Sequence, residues 1–203
     1  MINCNFYFYF QFSQTVNTLL VLGTSGARYY RCLLEKITVQ IRDTLNLHGG
    51  QGLLEQGART IALVGLPPMG CLPAVITLTS GNASHSRGCI ESLSSIAVDY
   101  NQKLSTKLND VKSYAYGTKI VYADIYKPMD EIITNPSKFD FEEVYTGCCG
   151  SGYVEASFLC NPTSPVCFDP SEYVFFDSIH PTEVTYKYIF KSLRPTIDQV
   201  IKN

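Results

Sequence analysis

Apolar positions along this chain follow two alternating rhythms. Short continuous runs at Thr60-Ile61-Ala62-Leu63-Val64, Lys119-Ile120-Val121-Tyr122-Ala123 and Tyr173-Val174-Phe175-Phe176 read as strands covered on both faces. Between and after them, apolar residues recur at helical spacing. Leu93, Ile96, Ala97, Tyr100, Leu104, Leu108 and Val111 trace one face of a long amphipathic helix. Tyr186, Ile189, Phe190 and Leu193 form the stripe of a last helix, which Pro195 interrupts and Ile197, Val200 and Ile201 continue. Met129 to Ile133 predicts a helical turn ended by Asn135-Pro136, and Leu33, Leu34, Ile37, Ile41 and Leu45 a helix ending near His48-Gly49-Gly50. Asn17 to Leu22 reads as a strand that runs into the turn Gly23-Thr24-Ser25-Gly26. The segment 140–170, rich in Gly, Pro and Cys, reads as an irregular loop. Helix–strand alternation with continuous strands predicts a three-layer α/β domain with a parallel sheet. No repeat or linker divides the chain, so one domain over 1–203 is expected.

Composition narrows the function classes. A net charge of −2 with no Lys/Arg-rich run argues against a nucleic-acid binder. Eight cysteines among 203 residues point to an oxidising compartment. They form no Cys-x-x-Cys pair, and the three histidines lie far apart, so neither a zinc site nor any other cofactor is expected. No apolar run is long enough for a membrane span. Residues 1–27 lack any charged side chain, and no secretory signal is read there.

Candidate chemistry concentrates after the strand 173–176. Asp177 and His180 stand three residues apart in a polar loop, and Pro181 disfavours the helical region for His180. Pro181 also suits the first position of the following helix. A carboxylate can fix the imidazole tautomer and stabilise the imidazolium, which suits general-base work. An Asp-x-x-His spacing by itself is also an ordinary turn. Asp124, at the end of strand 119–123, is a competing acid; His48 and His85 read as exposed. Asn82-Ala83-Ser84 is a usable N-glycosylation sequon in a polar loop.

Further motifs occur in order: Gly65-Leu66-Pro67-Pro68-Met69-Gly70-Cys71-Leu72-Pro73, Tyr122-Ala123-Asp124-Ile125-Tyr126, Cys148-Cys149-Gly150, and Phe176-Asp177-Ser178-Ile179-His180-Pro181-Thr182-Glu183. Together they resemble the plant GDSL-type esterase/lipase family of SGNH hydrolases, over roughly the last three quarters of the chain, with 1–51 matching poorly. The resemblance implies a flavodoxin-like α/β fold, incomplete at the N-terminus. It also implies a Ser-Asp-His hydrolase of lipid or other carboxylic esters and a secreted protein. Asp177 and His180 match its Asp-x-x-His block, which leaves Asp124 a structural role. The Gly-Asp-Ser block that carries the nucleophile has no clear counterpart. Ser25 in Gly23-Thr24-Ser25 is a weak candidate; alternatively Ser25-Gly26 replaces the Asn-Asp of the oxyanion block, or the segment is a plain glycine turn. The resemblance further implies that Cys71 pairs with Cys89 and that Cys148, Cys149, Cys160 and Cys167 pair among themselves, leaving Cys4 and Cys32 free. The chain as written is expected to be a poor esterase, with a non-catalytic secreted binding or structural protein as the alternative.

Overall fold

The computed structural model describes residues 18–21, 60–79, 87–113 and 116–201. The helix expected over 33–45, Ser25, His48, Asn82, His85, Cys4 and Cys32 lie outside these residues. Contacts group the chain into two compact units. One draws on Met1–Leu66, Val98–Asp124 and Arg194–Asn203, the other on Pro67–Ala97 and Ile125–Leu193.

In the first unit, strand β1 (Thr18–Val21) pairs in parallel with β2 (Thr60–Val64), which pairs in parallel with β3 (Lys119–Ala123). The order is β1-β2-β3, and the register sets Thr60 opposite Lys119 and Val64 opposite Ala123. β2 and β3 have the bounds their apolar runs predict. Ile61, Ala62, Leu63 and Val64 are all buried, as a strand covered on both faces requires. Among the described residues α-helix α1 (Pro73–Thr79) belongs to the second unit, and α2 (Glu91–Lys112), which belongs to the first from Val98 on, has Glu91 in its first turn and Lys112 in its last. Ala97, Tyr100, Leu104, Leu108 and Val111 of α2 are buried as the spacing predicts. Leu93 and Ile96 are only half-buried, while the polar Ser94 and Asn101 are buried.

In the second unit, α3 (Tyr126–Thr134) buries Pro128, Met129, Ile132 and Ile133 and begins three residues before the expected turn. It ends at Asn135, whose N–H donates to the Glu131 carbonyl. The segment 140–170 is not wholly irregular. It contains strand β4 (Glu143–Gly147), parallel to β5 (Tyr173–Phe175). β5 stops one residue short of its expected end: Phe176 is 37% exposed and its N–H turns back to the His180 carbonyl at 2.8 Å.

Three disulfides staple the second unit. Cys71–Cys89 is the expected pair, and the later cysteines resolve into Cys148–Cys167 and Cys149–Cys160. Closing loops of 18, 19 and 11 residues removes unfolded-chain entropy, on the order of 3 kcal/mol each. Arg87 is a second tie. Its guanidinium donates to the carbonyls of Tyr145 and Pro73 and to the Thr77 hydroxyl, and it lies 4.6 Å over the Tyr153 ring.

The last helix, α4 (Glu183–Ile201), departs from its sequence pattern twice. It runs through Pro195 without interruption. Proline removes a single i→i−4 bond there, and Arg194 spans the turn to Asp198 at 3.0 Å. Its expected stripe is only partly covered: Tyr186 and Phe190 are 51% and 50% accessible, Leu193 and Ile197 are half-buried, and Ile189 is buried. The buried positions around its start are instead Thr182 and Thr185. Their hydroxyls donate to the Tyr173 and Val174 carbonyls, each at 2.8 Å, and so bind the helix start to β5. Among the described residues no helix is long and apolar enough to cross a membrane.

Candidate active site

The loop after β5 is closed by its own backbone. Phe176 N–H reaches the His180 carbonyl, Thr182 N–H reaches the Val174 carbonyl at 3.0 Å, and Phe175 bridges Pro181. Thr182 then caps α4, its hydroxyl accepting from Thr185 N–H at 3.3 Å. Pro181 therefore stands before the helix cap rather than at the first helical position expected for it. This closure presents Asp177 and His180 on one short turn.

Asp177 is nearly fully buried, its side chain 5% exposed, so its ionised form needs donors. It has four. Oδ1 accepts from the N–H of Ile179 at 2.8 Å and of His180 at 2.7 Å. Oδ2 accepts from Ser157 N–H at 2.9 Å and faces His180 Nδ1 at 2.7 Å. Burial alone would raise its pKa. The bonds from the imidazole and the three backbone groups outweigh that and hold Asp177 below the usual carboxylate range.

An ionised carboxylate only accepts, so the proton between the two side chains sits on Nδ1 and the lone pair of neutral His180 on Nε2. The hydrogen bond to Asp177 raises the His180 pKa, partial burial opposes it, and the Asp177 charge adds to the rise. The His180 side chain is 45% exposed, so the ring can exchange protons with a group outside the fold. Chemically this is an oriented base whose protonated form is stabilised in place.

Other residues hold the pair. A Cβ on Gly147 would come within 2.7 Å of the Asp177 backbone carbonyl, so β4 passes directly behind the carboxylate. Ser178 is fully buried, its N–H donating to the Glu155 carbonyl at 2.8 Å and its own carbonyl accepting from Ala74. Neither Ser157 nor Gly147 is visible to sequence reasoning as a neighbour of Asp177. A glycine inside a strand signals close backbone approach; a backbone N–H arriving from 20 residues away leaves no signal at all. Asp124 stands at the end of β3 beside Tyr122, whose hydroxyl is pushed up by burial and then by the Asp124 charge.

The family described as GDSL-like Lipase/Acylhydrolase matches residues 12–193. Three Arabidopsis thaliana proteins named GDSL esterase/lipase are similar to the chain. One is 56% identical over 153 residues, 74% of this chain and 41% of its own length. A second is 48% identical over 145 residues, 71% and 40% of the two lengths. A third is 40% identical over 188 residues, 87% and 52%. The chain thus spans between 40% and 52% of the length of these curated relatives. With most of its residues inside one family match and its parallel strands and helices laid out accordingly, the chain belongs to the GDSL-like lipase/acylhydrolase family and has its SGNH-type α/β fold.

Proposed function

We propose that Asp177 and His180 form the acid–base half of a serine ester hydrolase acting on lipid or other carboxylic esters in a secreted setting. One observation carries the reading: a buried carboxylate, anchored by three backbone donors, holds the Nδ1 of a half-exposed imidazole at 2.7 Å. In that arrangement His180 Nε2 removes the proton from an attacking hydroxyl as it adds to the ester carbonyl. Asp177 stabilises the imidazolium, which then protonates the departing alcohol. The 203 residues hold no Gly-Asp-Ser, so the pair acts here on water or on a weak nucleophile such as Ser25. Slow turnover follows, because covalent catalysis and oxyanion donors together supply most of such an enzyme's rate.

The test is hydrolysis of a short-chain p-nitrophenyl ester by the purified chain, with a fluorophosphonate probe alongside. Slow hydrolysis that drops to the buffer rate in His180→Ala supports the proposal. Hydrolysis indifferent to His180→Ala, or none at any concentration, rejects it in favour of a binding or structural protein on the same scaffold. Probe labelling mapped to Ser25 would identify the Gly23-Thr24-Ser25 turn as the nucleophile.

A further inference from the structure

The two oxygens of Asp177 are held in different ways. Oδ1 takes the N–H groups of Ile179 and His180, two and three residues further on. Those bonds come with the local turn, and any Asp in that turn can make them. Anchoring one oxygen leaves the carboxylate plane free to swing. The plane is set by what meets Oδ2, which among the described residues is, besides His180, only the N–H of Ser157, 20 residues upstream at 2.9 Å.

Ser157 makes that bond from an uncommon conformation. Its φ is +52°, in the left-handed region that a residue other than glycine enters at a cost of about 1 kcal/mol. Its surroundings enforce it. Ser178 N–H donates to the Glu155 carbonyl at 2.8 Å, so residues 155–157 and 177–178 are stitched by two bonds running in opposite directions. Downstream, Cys160 N–H closes a short turn on the Ser157 carbonyl at 3.0 Å. Cys160 is bonded covalently to Cys149, whose own N–H donates to the Phe176 carbonyl at 2.8 Å. The staple therefore runs from Cys149, hydrogen-bonded to the residue before Asp177, to the turn that presents Ser157.

We propose that Ser157 is a positioning residue for the Asp177–His180 pair, its backbone N–H fixing the rotation of the Asp177 carboxylate while the Cys149–Cys160 disulfide keeps it there. The inference rests on reading that pair as the general base. It assigns the Ser157 side chain no part; the hydroxyl is on an exposed residue and the working group is the amide. Among the described residues, the titratable and charged groups around the pair are few. Tyr186 of α4 has its hydroxyl pushed up by burial and then by the Asp177 charge. The Glu155 carboxylate is engaged by Ser151 and the Val154 N–H.

The experiment is an NMR titration of the His180 ring in the full chain, with ester hydrolysis measured in parallel. Ser157→Ala and Ser157→Gly keep the N–H and should titrate as the parent does. Ser157→Pro, which has no N–H, and the double variant Cys149→Ser/Cys160→Ser should both lower the His180 pKa, by roughly half to one pH unit. His180-dependent kcat/KM should fall about tenfold in these two. If Ser157→Pro does not fold, the double variant decides alone. Unchanged His180 titration in the folded double variant overturns the proposal, and so does a shift in Ser157→Ala as large as the one in Ser157→Pro. If the titration shifts as expected but hydrolysis ignores His180, the positioning stands and the general-base reading fails.

Discussion

Two loops of this protein, each leaving the C-terminal end of a parallel strand, are anchored by the same device with opposite consequences. After β2, the buried Asn101 of α2 accepts from Leu66 N–H at 2.7 Å and donates to the Leu66 carbonyl at 2.8 Å. After β5, the buried Asp177 collects three backbone N–H groups of its own and a neighbouring loop. Leu66 is fully buried, so Asn101 satisfies backbone groups that water cannot reach; close approach requires glycine at Gly65 in that loop and at Gly147, where β4 passes behind the Asp177 backbone. The amide spends its acceptor and a donor on the N–H and carbonyl of one residue and stays neutral at every pH, so its contribution is to the fold. The carboxylate has room on its lone pairs for one more donor, and that donor is an imidazole. A one-atom difference in the anchoring side chain separates a clamp from a candidate active site.

The comparison breaks most visibly in activity. His180→Ala should reduce the hydrolysis of a short-chain ester by about 10²-fold or more, the usual contribution of a general base. Asn101→Ala should reduce it only in proportion to the unfolded fraction. Steady-state rates normalised to the folded fraction distinguish the two.

The glycines sharpen it next. Gly147→Ala drives a methyl group into the Asp177 backbone, which cannot rotate away, and should cost about 3 kcal/mol in denaturant unfolding. At Gly65 the obstructing atoms are the Tyr122 hydroxyl and the Asn101 amide oxygen, ends of side chains that can shift, so Gly65→Ala should cost about 1–2 kcal/mol. Equal costs would mean that the surroundings of Gly65 and Gly147 are equally adaptable.

Asn101→Ala leaves the Leu66 N–H and carbonyl without their partner in a position that is fully buried, a loss of about 2 kcal/mol. The same unfolding measurement reads it, and the His180 titration should not move.

The smallest effect is in pH dependence, and its sign differs between the two members of the pair. The Asp177 pKa is lowered in the folded protein, so its stabilisation is present above the unfolded carboxylate pKa and is lost as pH falls through the folded value. The His180 pKa is raised, so its stabilisation is complete below the unfolded imidazole pKa, about 6.5, and is lost as pH rises through the folded value. The pair therefore stabilises most in the mildly acidic range. His180→Gln should remove the decline on the alkaline side, whereas Asn101→Ala should leave the shape of the pH curve unaltered.

Local patterns in the chain determined a good deal of this protein. The runs at 60–64 and 119–123 become strands with those bounds because each is short, apolar after its polar first residue and ended by a Gly-Leu-Pro-Pro turn or a change in polarity. The Asp177–His180 pair was legible because its two members sit three residues apart, inside one turn that local chemistry closes. What sequence could not supply is what depends on distant partners. β4 passed unread because Glu143, Tyr145 and Thr146 are only half-buried, so no apolar run announces it; its parallel partner β5 lies far along the chain. In α4 and its cap the exposed Tyr186 and Phe190 and the buried Thr182 and Thr185 invert the hydrophobic expectation, because hydroxyls that reach the β5 carbonyls can be buried without penalty. Asn101 could have been suspected as a polar residue on the apolar face of α2, but not its target. Ser157 offers no pattern of any kind, since its contribution is a backbone N–H, which every residue but proline carries. Only the tertiary fold, with the Cys149–Cys160 link and a left-handed turn, decides which N–H meets the carboxylate.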